Sequence, residues 1–399
     1  MSQLEQQSIV VTETHDWRPE MVLSLLLSYF VLFGLFVGVT GVLWAEIMRT
    51  LGIGPGIFGT AMLTTSVMAI CILLFYGRLY TRFGAKPLML VGLAIYASAM
   101  VVLANLVNFG VFIVALALLG VGISLVQGAM NSSVLDWEQV TQRNIMNLAH
   151  AMFSAGAIIG AFTAGAALGA GWTYSRLLYG LTLLIGLSLL STLPVRYPPS
   201  QAGSATVASN SLRYLFSQRT LLTLAGIITF STLFESVANT WSVIYLRQGL
   251  GTTAVIGGAT FGLFNLAMFI GRLLNTPVVA RKGARFSLLI SGGGLALSSI
   301  LLVATGNVLL AVIAFGLMGL AVAGVFPTVM SAAAKYTGGN SGEVTGAMMI
   351  VVCVAFMIGP PLIGWLAELI SLQGALLVVG FFGLGMFWLS RQLPTQSPC

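Results

Sequence analysis

The sequence predicts an all-α membrane protein with about twelve transmembrane helices in two six-helix bundles. Three observations carry that prediction. First, hydrophobic residues make up 58% of the 399-residue chain and charged residues only 7%, where a soluble domain has about 25% charged residues. So few charges cannot cover a water-exposed surface of this size, so the chain must face lipid. Second, the apolar residues fall in runs long enough to cross a bilayer. Third, a pattern recurs at half the chain length. Gly160 and Gly359, Gly165 and Gly364, Gly120 and Gly319, Ser132 and Ser331, Arg82 and Arg281, and Gly84 and Gly283 each stand 199 positions apart. Two parallel repeats are a common build for a membrane chain with a solute site between its halves.

A span takes about 20 apolar residues. The polar start, 1–20, holds Glu5, Glu13, Asp16 and Glu20. It lacks the basic opening and cleavage site of a signal peptide, so it reads as a cytoplasmic tail that stays on the protein. Six apolar runs follow at 22–46, 55–78, 87–108, 110–134, 144–169 and 172–195, giving an N-terminal bundle over 21–195. The stretch 196–219 contains Pro198, Pro199 and a Ser/Ala/Thr run and reads as a cytoplasmic linker. Six more runs lie at 220–246, 253–275, 285–305, 308–333, 342–366 and 371–391. They give a C-terminal bundle over 220–391 and leave 392–399 as a cytoplasmic tail.

Orientation follows from Lys and Arg. With both termini cytoplasmic, fourteen basic residues fall inside, among them Arg78, Arg82, Lys86, Arg143 and Arg281, against Arg49, Arg176 and Arg247 outside. The net charge of +7 sits in these short connectors, so it reads as a topology signal and not as a nucleic-acid surface. Cys71, Cys353 and Cys399 are odd in number and scattered, which gives neither a disulfide framework nor a metal site. No cofactor is implied. With only His15 and His150, no clustered acids and no nucleophile elbow, an enzyme is not expected. Gly54-Pro55-Gly56-Ile57-Phe58-Gly59 fits a dinucleotide fingerprint in letters. It lacks the preceding strand and reads as a turn opening a helix.

The chemistry is expected where polar groups enter the apolar runs. Glu235 stands mid-way along the seventh run, with Ser231, Asn239 and Ser242 on the same face. An acid at that depth costs about 2.5–3.5 kcal/mol on insertion scales and marks a proton- or solute-handling site. In the fourth run Gly120, Ser124, Gln127 and Asn131 form a second polar stripe, suited to a hydroxyl-bearing solute or to gluing helices together. Asn147, His150 and Ser154 share a face of the fifth run, and His150 can relay protons because its side chain titrates near neutral pH. In the eighth run Asn265 and Arg272 share a face. Arg272, close to the inner end, is expected to snorkel to the interface. Trp241, near the Glu235 stripe, could stack on a ring-shaped solute. Proton coupling is thus assigned to Glu235 and His150, and solute binding to Gln127, Asn131, Glu235, Asn239, Trp241 and Asn265.

The connector after the second run reads Gly77-Arg78-Leu79-Tyr80-Thr81-Arg82-Phe83-Gly84-Ala85-Lys86. It resembles the signature of the major facilitator superfamily at this place, and Ala280-Arg281-Lys282-Gly283-Ala284-Arg285 is its echo in the second half. Thr81 stands where that family usually has Asp. The resemblance implies a cytoplasmic gate of Gly77, Arg78, Arg82, Gly84 and Lys86, joined by Asp136, Arg143 and Glu343 at the inner helix ends. A narrower likeness spans Met130-Asn131, Glu138, Arg143 and Asn147 to Gly156, which is similar to the fucose permease-like branch of bacterial members. That branch can carry acids in the first and fourth spans, where this chain has none at mid-membrane and offers Gln127 and Asn131.

The resulting expectation is a monomeric, multi-pass transporter of the bacterial inner membrane, moving a small, neutral polar solute, such as a sugar, by proton-coupled symport and alternating access. Sodium is the alternative coupling ion. Proton-linked efflux of apolar or cationic compounds is the alternative function, and a non-transporting receptor is the alternative from another class.

Overall fold

The computed structural model describes residues 18–143, 145–197, 218–303, 306–336 and 341–394. The expected tails and linker lie largely outside these residues, and so does the side chain of Glu343. Among the described residues every regular element is helical: α1 (Pro19–Leu51), α2 (Pro55–Phe83), α3 (Ala85–Ala104), α4 (Phe109–Thr141), α5 (Met146–Gly169), α6 (Tyr174–Thr192), α7 (Arg219–Ile244), α8 (Ala254–Val303), α9 (Val308–Val322), α10 (Val325–Tyr336), α11 (Ser341–Ile370) and α12 (Leu372–Arg391). A π-helical turn, Tyr245–Gly249, ends α7. Among the described residues, eleven helical segments are long and apolar enough to cross a membrane, with α9 and α10 contributing to one of them.

One of the eleven is 50 residues long and is broken inside by Gly283 at φ 80°, ψ 164°. Gly84, which separates α2 from α3, stands at φ 75°, ψ 176°. The two positions are 199 apart and adopt one backbone conformation that is essentially open only to glycine. The break in α8 is therefore the second copy of the α2–α3 corner, and its arms 254–282 and 284–303 are separate crossings. Helix starts repeat in the same way. The Asn108 side chain accepts from Val111 N at 3.0 Å to open α4, and Asn307 accepts from Leu309 N at 2.9 Å to open α9. Each satisfies a backbone donor that a helix start leaves free.

Glycine contacts show how the repeats pack. A Cβ added at Gly120 on α4 would lie 2.3 Å from Thr65 O on α2, and one added at Gly319 on α9 would lie 2.3 Å from Phe264 O on α8. Both partners of the contact are shifted by 199. Between the halves the contacts cross over. A Cβ on Gly165 of α5 would meet Ala254 O of α8 at 2.9 Å, and one on Gly364 of α11 would meet Pro55 O of α2 at 2.4 Å. The counterpart of Pro55 is Ala254. A contact that runs from the first half to the second is thus repeated from the second to the first, as a pseudo-two-fold axis between parallel repeats requires.

Candidate substrate cleft

The corners at Gly84 and Gly283, the end of α4 at Gln142 and the start of α7 lie at one end of the helices, the linker end. Gly52, Asn108, Gly171 and Ser371 turn the chain at the far end. Side-chain contacts that join the two halves gather at the far end. Glu46 of α1 pairs with Arg247 of the π turn and with Arg49 at 2.7 Å. Gln248 Nε2 donates to Ala45 O at 3.4 Å. Gly56 N donates to Glu368 Oε1 at 2.9 Å, and Trp365 Nε1 donates to Thr60 Oγ1 at 2.9 Å. The rings of Phe58 and Trp241 meet edge-on at 5.8 Å. A pocket of about 280 Å³ lies beside the ion pairs, lined in part by Met48, Arg49, Arg247 and Gln248.

Sequence reasoning missed Glu46 and Gln248. They are 202 positions apart in a chain whose spatial pairing is not local, although an acid near the end of the first apolar run was a visible signal. The π turn re-aims the end of α7: Leu250 N donates to Tyr245 O at 3.0 Å, and Thr252 N to Leu246 O at 3.0 Å. Extra-residue bulges of this kind are frequent at functional sites.

One arginine of the second half has a titratable side chain from each half within electrostatic reach. Glu235 on α7 is half-buried. Arg272 on α8, also half-buried, lies within electrostatic reach of both Glu235 and His150 of α5. His150 is exposed, with its ring edge-on to Phe30 at 5.5 Å. Beside Glu235, Ser231 and Ser242 are buried and Asn239 is half-buried. On α4, Gln127 is exposed and Asn131 half-buried. The Asn131 amide donates to Gln127 O at 2.9 Å, which leaves its carbonyl oxygen free for a solute.

Two residues assigned to solute binding lie inside the packing. Trp241 is 0% exposed, against Phe58. It stands six residues from Glu235, on a different face of the helix. Asn265 is buried and spends its amide on Phe261 O at 2.9 Å. Arg272 departs from the expected snorkel. Its Nη2 donates to Met268 Sδ at 3.2 Å, one turn toward the far end. Helical side chains lean toward their own N-terminus, and α8 begins at the far end, so this arginine lies along its helix away from the linker end.

At the linker end the gate residues make ties within the first half. The Tyr80 hydroxyl donates to Asp136. Lys86 Nζ donates to Leu193 O at 2.7 Å. Arg82 lies over the Phe83 ring at 5.3 Å, while Gly77 is half-buried and Arg78 exposed just before it. Arg143 pairs with Glu20 at 3.2 Å, both well exposed, so that pair is worth little by itself. Glu138 Oε1 accepts from Ile145 N and, at 2.8 Å, from Met146 N, which makes it the cap of α5. Among the described residues no group of three or more His, Cys, Asp or Glu is placed to hold a metal.

Comparison with known proteins follows the same lines. The sequence model of the Major Facilitator Superfamily matches residues 25–355. The chain is 27% identical over 355 residues to the uncharacterized transporter y4wD of Sinorhizobium fredii, covering 88% of this chain and 93% of that protein. It is 26% identical over 328 residues to the membrane protein MosC of Rhizobium meliloti, covering 80% and 77%. Among solved structures, the nucleoside transporter NupG has a TM-score of 0.80 at 14% identity, covering 94% of this chain and all of that one. A bacterial homolog of the human lysosomal transporter Spinster, in an inward-facing and unoccupied conformation, gives 0.71 at 13%, covering 95% and 98%. At these identities the structural likeness establishes the fold alone.

Proposed function

Since the chain belongs to the Major Facilitator Superfamily and is a transporter of that type, we propose that it moves a small polar organic solute by proton-coupled alternating access about the cleft between its halves. The observation that supports this reading is the electrostatic reach of Arg272 to Glu235 and to His150, which belong to different halves, together with cross-contacts that gather at one end. A cleft closed at the far end and lined with polar groups behind that closure is one of the two states a rocking transporter needs. The twelve crossings divide into bundles over 21–195 and 220–391. The linker end is cytoplasmic by its basic residues, and the membrane is the bacterial inner membrane.

Glu235 takes the coupling proton. A carboxyl at that depth, on a helix facing the cleft, is too costly to keep without such a role. His150, exposed at the cleft, hands protons between Glu235 and the cytoplasmic side. Gln127, Asn131 and Asn239 supply amide donors and acceptors to hydroxyls. The resemblance of the fourth-to-fifth span region to the fucose permease-like branch supports a hydroxyl-rich solute, with sugars foremost in the panel.

The test uses purified protein in proteoliposomes with an internal pH dye. A panel of sugars, nucleosides, polyols and hydroxy acids is added outside. Internal acidification with one compound, abolished in Glu235→Gln, is the expected result. Full accumulation against a gradient by Glu235→Gln would remove Glu235 from coupling.

A further inference from the structure

We propose that Arg272 is the residue that selects the solute, and that the solute carries a carboxylate or similar single anionic group beside its hydroxyls. This rests on the transport reading above and names the substrate class of the same cleft. Gln127, Asn131 and Asn239 remain the readers of hydroxyls. The neutral solute expected from the amides alone is replaced by a hydroxylated acid.

Five observations lead there. Arg272 is a cation in a membrane span, and such residues are kept when they have a partner or a ligand pathway. Among the described residues no carboxylate lies within 4.0 Å of it. Among the described residues its guanidinium makes one hydrogen bond, to Met268 Sδ at 3.2 Å, and a thioether is a weak acceptor for a group with five donors. The side chain leans away from the water at the linker end, so it is not a stem that reaches for the interface. Finally, its counterpart 199 positions earlier is Leu73, an exposed apolar residue. The repeated packing frame does not ask for a charge here.

The planar fork of a guanidinium matches a carboxylate by two parallel hydrogen bonds, which a lysine or an amide cannot reproduce. Glu235 is near enough to feel Arg272 and too far to pair with it. An anionic solute seated on Arg272 therefore approaches Glu235 as well. A proton on Glu235 removes the repulsion between the two carboxylates, so proton and anion favour each other in the cleft. No covalent step is involved.

The experiment measures ligand-induced thermal stabilisation of the purified full chain in detergent. The probes are matched pairs at equal ionic strength: D-glucose with D-glucuronate and D-gluconate, D-galactose with D-galacturonate, and glycerol with D-glycerate. At least one acid is expected to stabilise the protein while its neutral partner does not. The Kd for that acid is expected to weaken at least tenfold in Arg272→Gln and by a smaller factor in Arg272→Lys, with both variants eluting as the wild type does. Arg272→Lys keeps a charge at the site if Arg272→Gln fails to fold. Equal stabilisation by the neutral partners, no stabilisation by any acid, or an acid affinity unchanged in Arg272→Gln would each overturn the proposal. A neutral solute that still acidifies wild-type liposomes removes the anion and leaves the transport reading standing. An acid that binds through Arg272 without any proton movement removes the coupling and leaves the anion site.

Discussion

Gly120 and Gly319 do the same work in the two halves, whereas Glu235 and its counterpart, Phe36, do not. The same contrast runs through the molecule. Positions that bring backbones together repeat at 199 residues: Gly84 with Gly283, Asn108 with Asn307, Gly165 with Gly364. Positions that bring chemistry do not. Arg272 answers to Leu73, His150 to Met349, Gln127 to Phe326, Asn131 to Met330, and the far-end Glu46 and Arg247 to Tyr245 and Met48. Packing two bundles into one fold needs both copies of each close contact. A cleft between them needs each functional group only once, because it faces both halves. Asn239, which answers to Thr40, is an exception among the residues assigned to the cleft.

The comparison can be broken in several ways. The largest effect is expected from Glu235→Gln, which should reduce proton-driven accumulation at least tenfold. Phe36→Leu, at the corresponding position, should leave accumulation near the wild-type level. Uptake assays in proteoliposomes compare the two, and an equal loss in both would erase the asymmetry. Next come the corners. Gly84→Ala and Gly283→Ala each force a side chain into a backbone region reserved for glycine, at a cost of about 1–3 kcal/mol. Thermal unfolding followed by light scattering should show similar drops for both, and a drop in only one would mean that the corners are not equivalent. Gly120→Ala and Gly319→Ala should each cost about 1–3 kcal/mol by pushing a methyl into a neighbouring carbonyl. Their effects should match each other more closely than either matches Gly180→Ala, where the added atom meets open space.

The smallest effect, on the balance between conformations, is expected at the far end. Glu46→Gln removes the carboxylate that Arg247 and Arg49 share, while the other ties between the halves remain. With Cys71, Cys353 and Cys399 replaced by Ser, labelling of a single cysteine introduced at Gln127 reports access to the cleft. With Glu46→Gln, labelling by a membrane-impermeant reagent from the far end should rise severalfold. No change would show that the ion pair does not hold the far end closed.

Much of the frame was legible in the sequence. Composition, run length and the glycine spacing led to the membrane class and the two-fold repeat, because those signals are local or strictly periodic. The stripe of Glu235 and Asn239 was legible as well, since helical spacing puts those residues on one face. Other parts were not. Trp241 looked like a cleft residue because it is near Glu235 along the chain, but the helix turns it into the interior. Arg272 looked like an interface anchor because it stands toward one end of its run. Its lean toward Met268 and its closeness to His150 depend on helix direction and on a helix from the other half. The Glu46–Arg247 pair joins residues that only the folded arrangement brings together. None of these three relations has a period that a single run can display.

The carbonyl contacts of the repeated glycines carry a consequence for the history of the chain. A mismatch between two side chains can be relieved by changing either of them, so the record of a duplication fades quickly wherever side chains meet. A glycine pressed on a main-chain oxygen has no such second solution, because the oxygen belongs to every amino acid. At Gly120 on Thr65 and Gly319 on Phe264, the apposed residues differ between the halves while the glycine is the same. The internal repeat is therefore most legible where the main chain itself forbids revision.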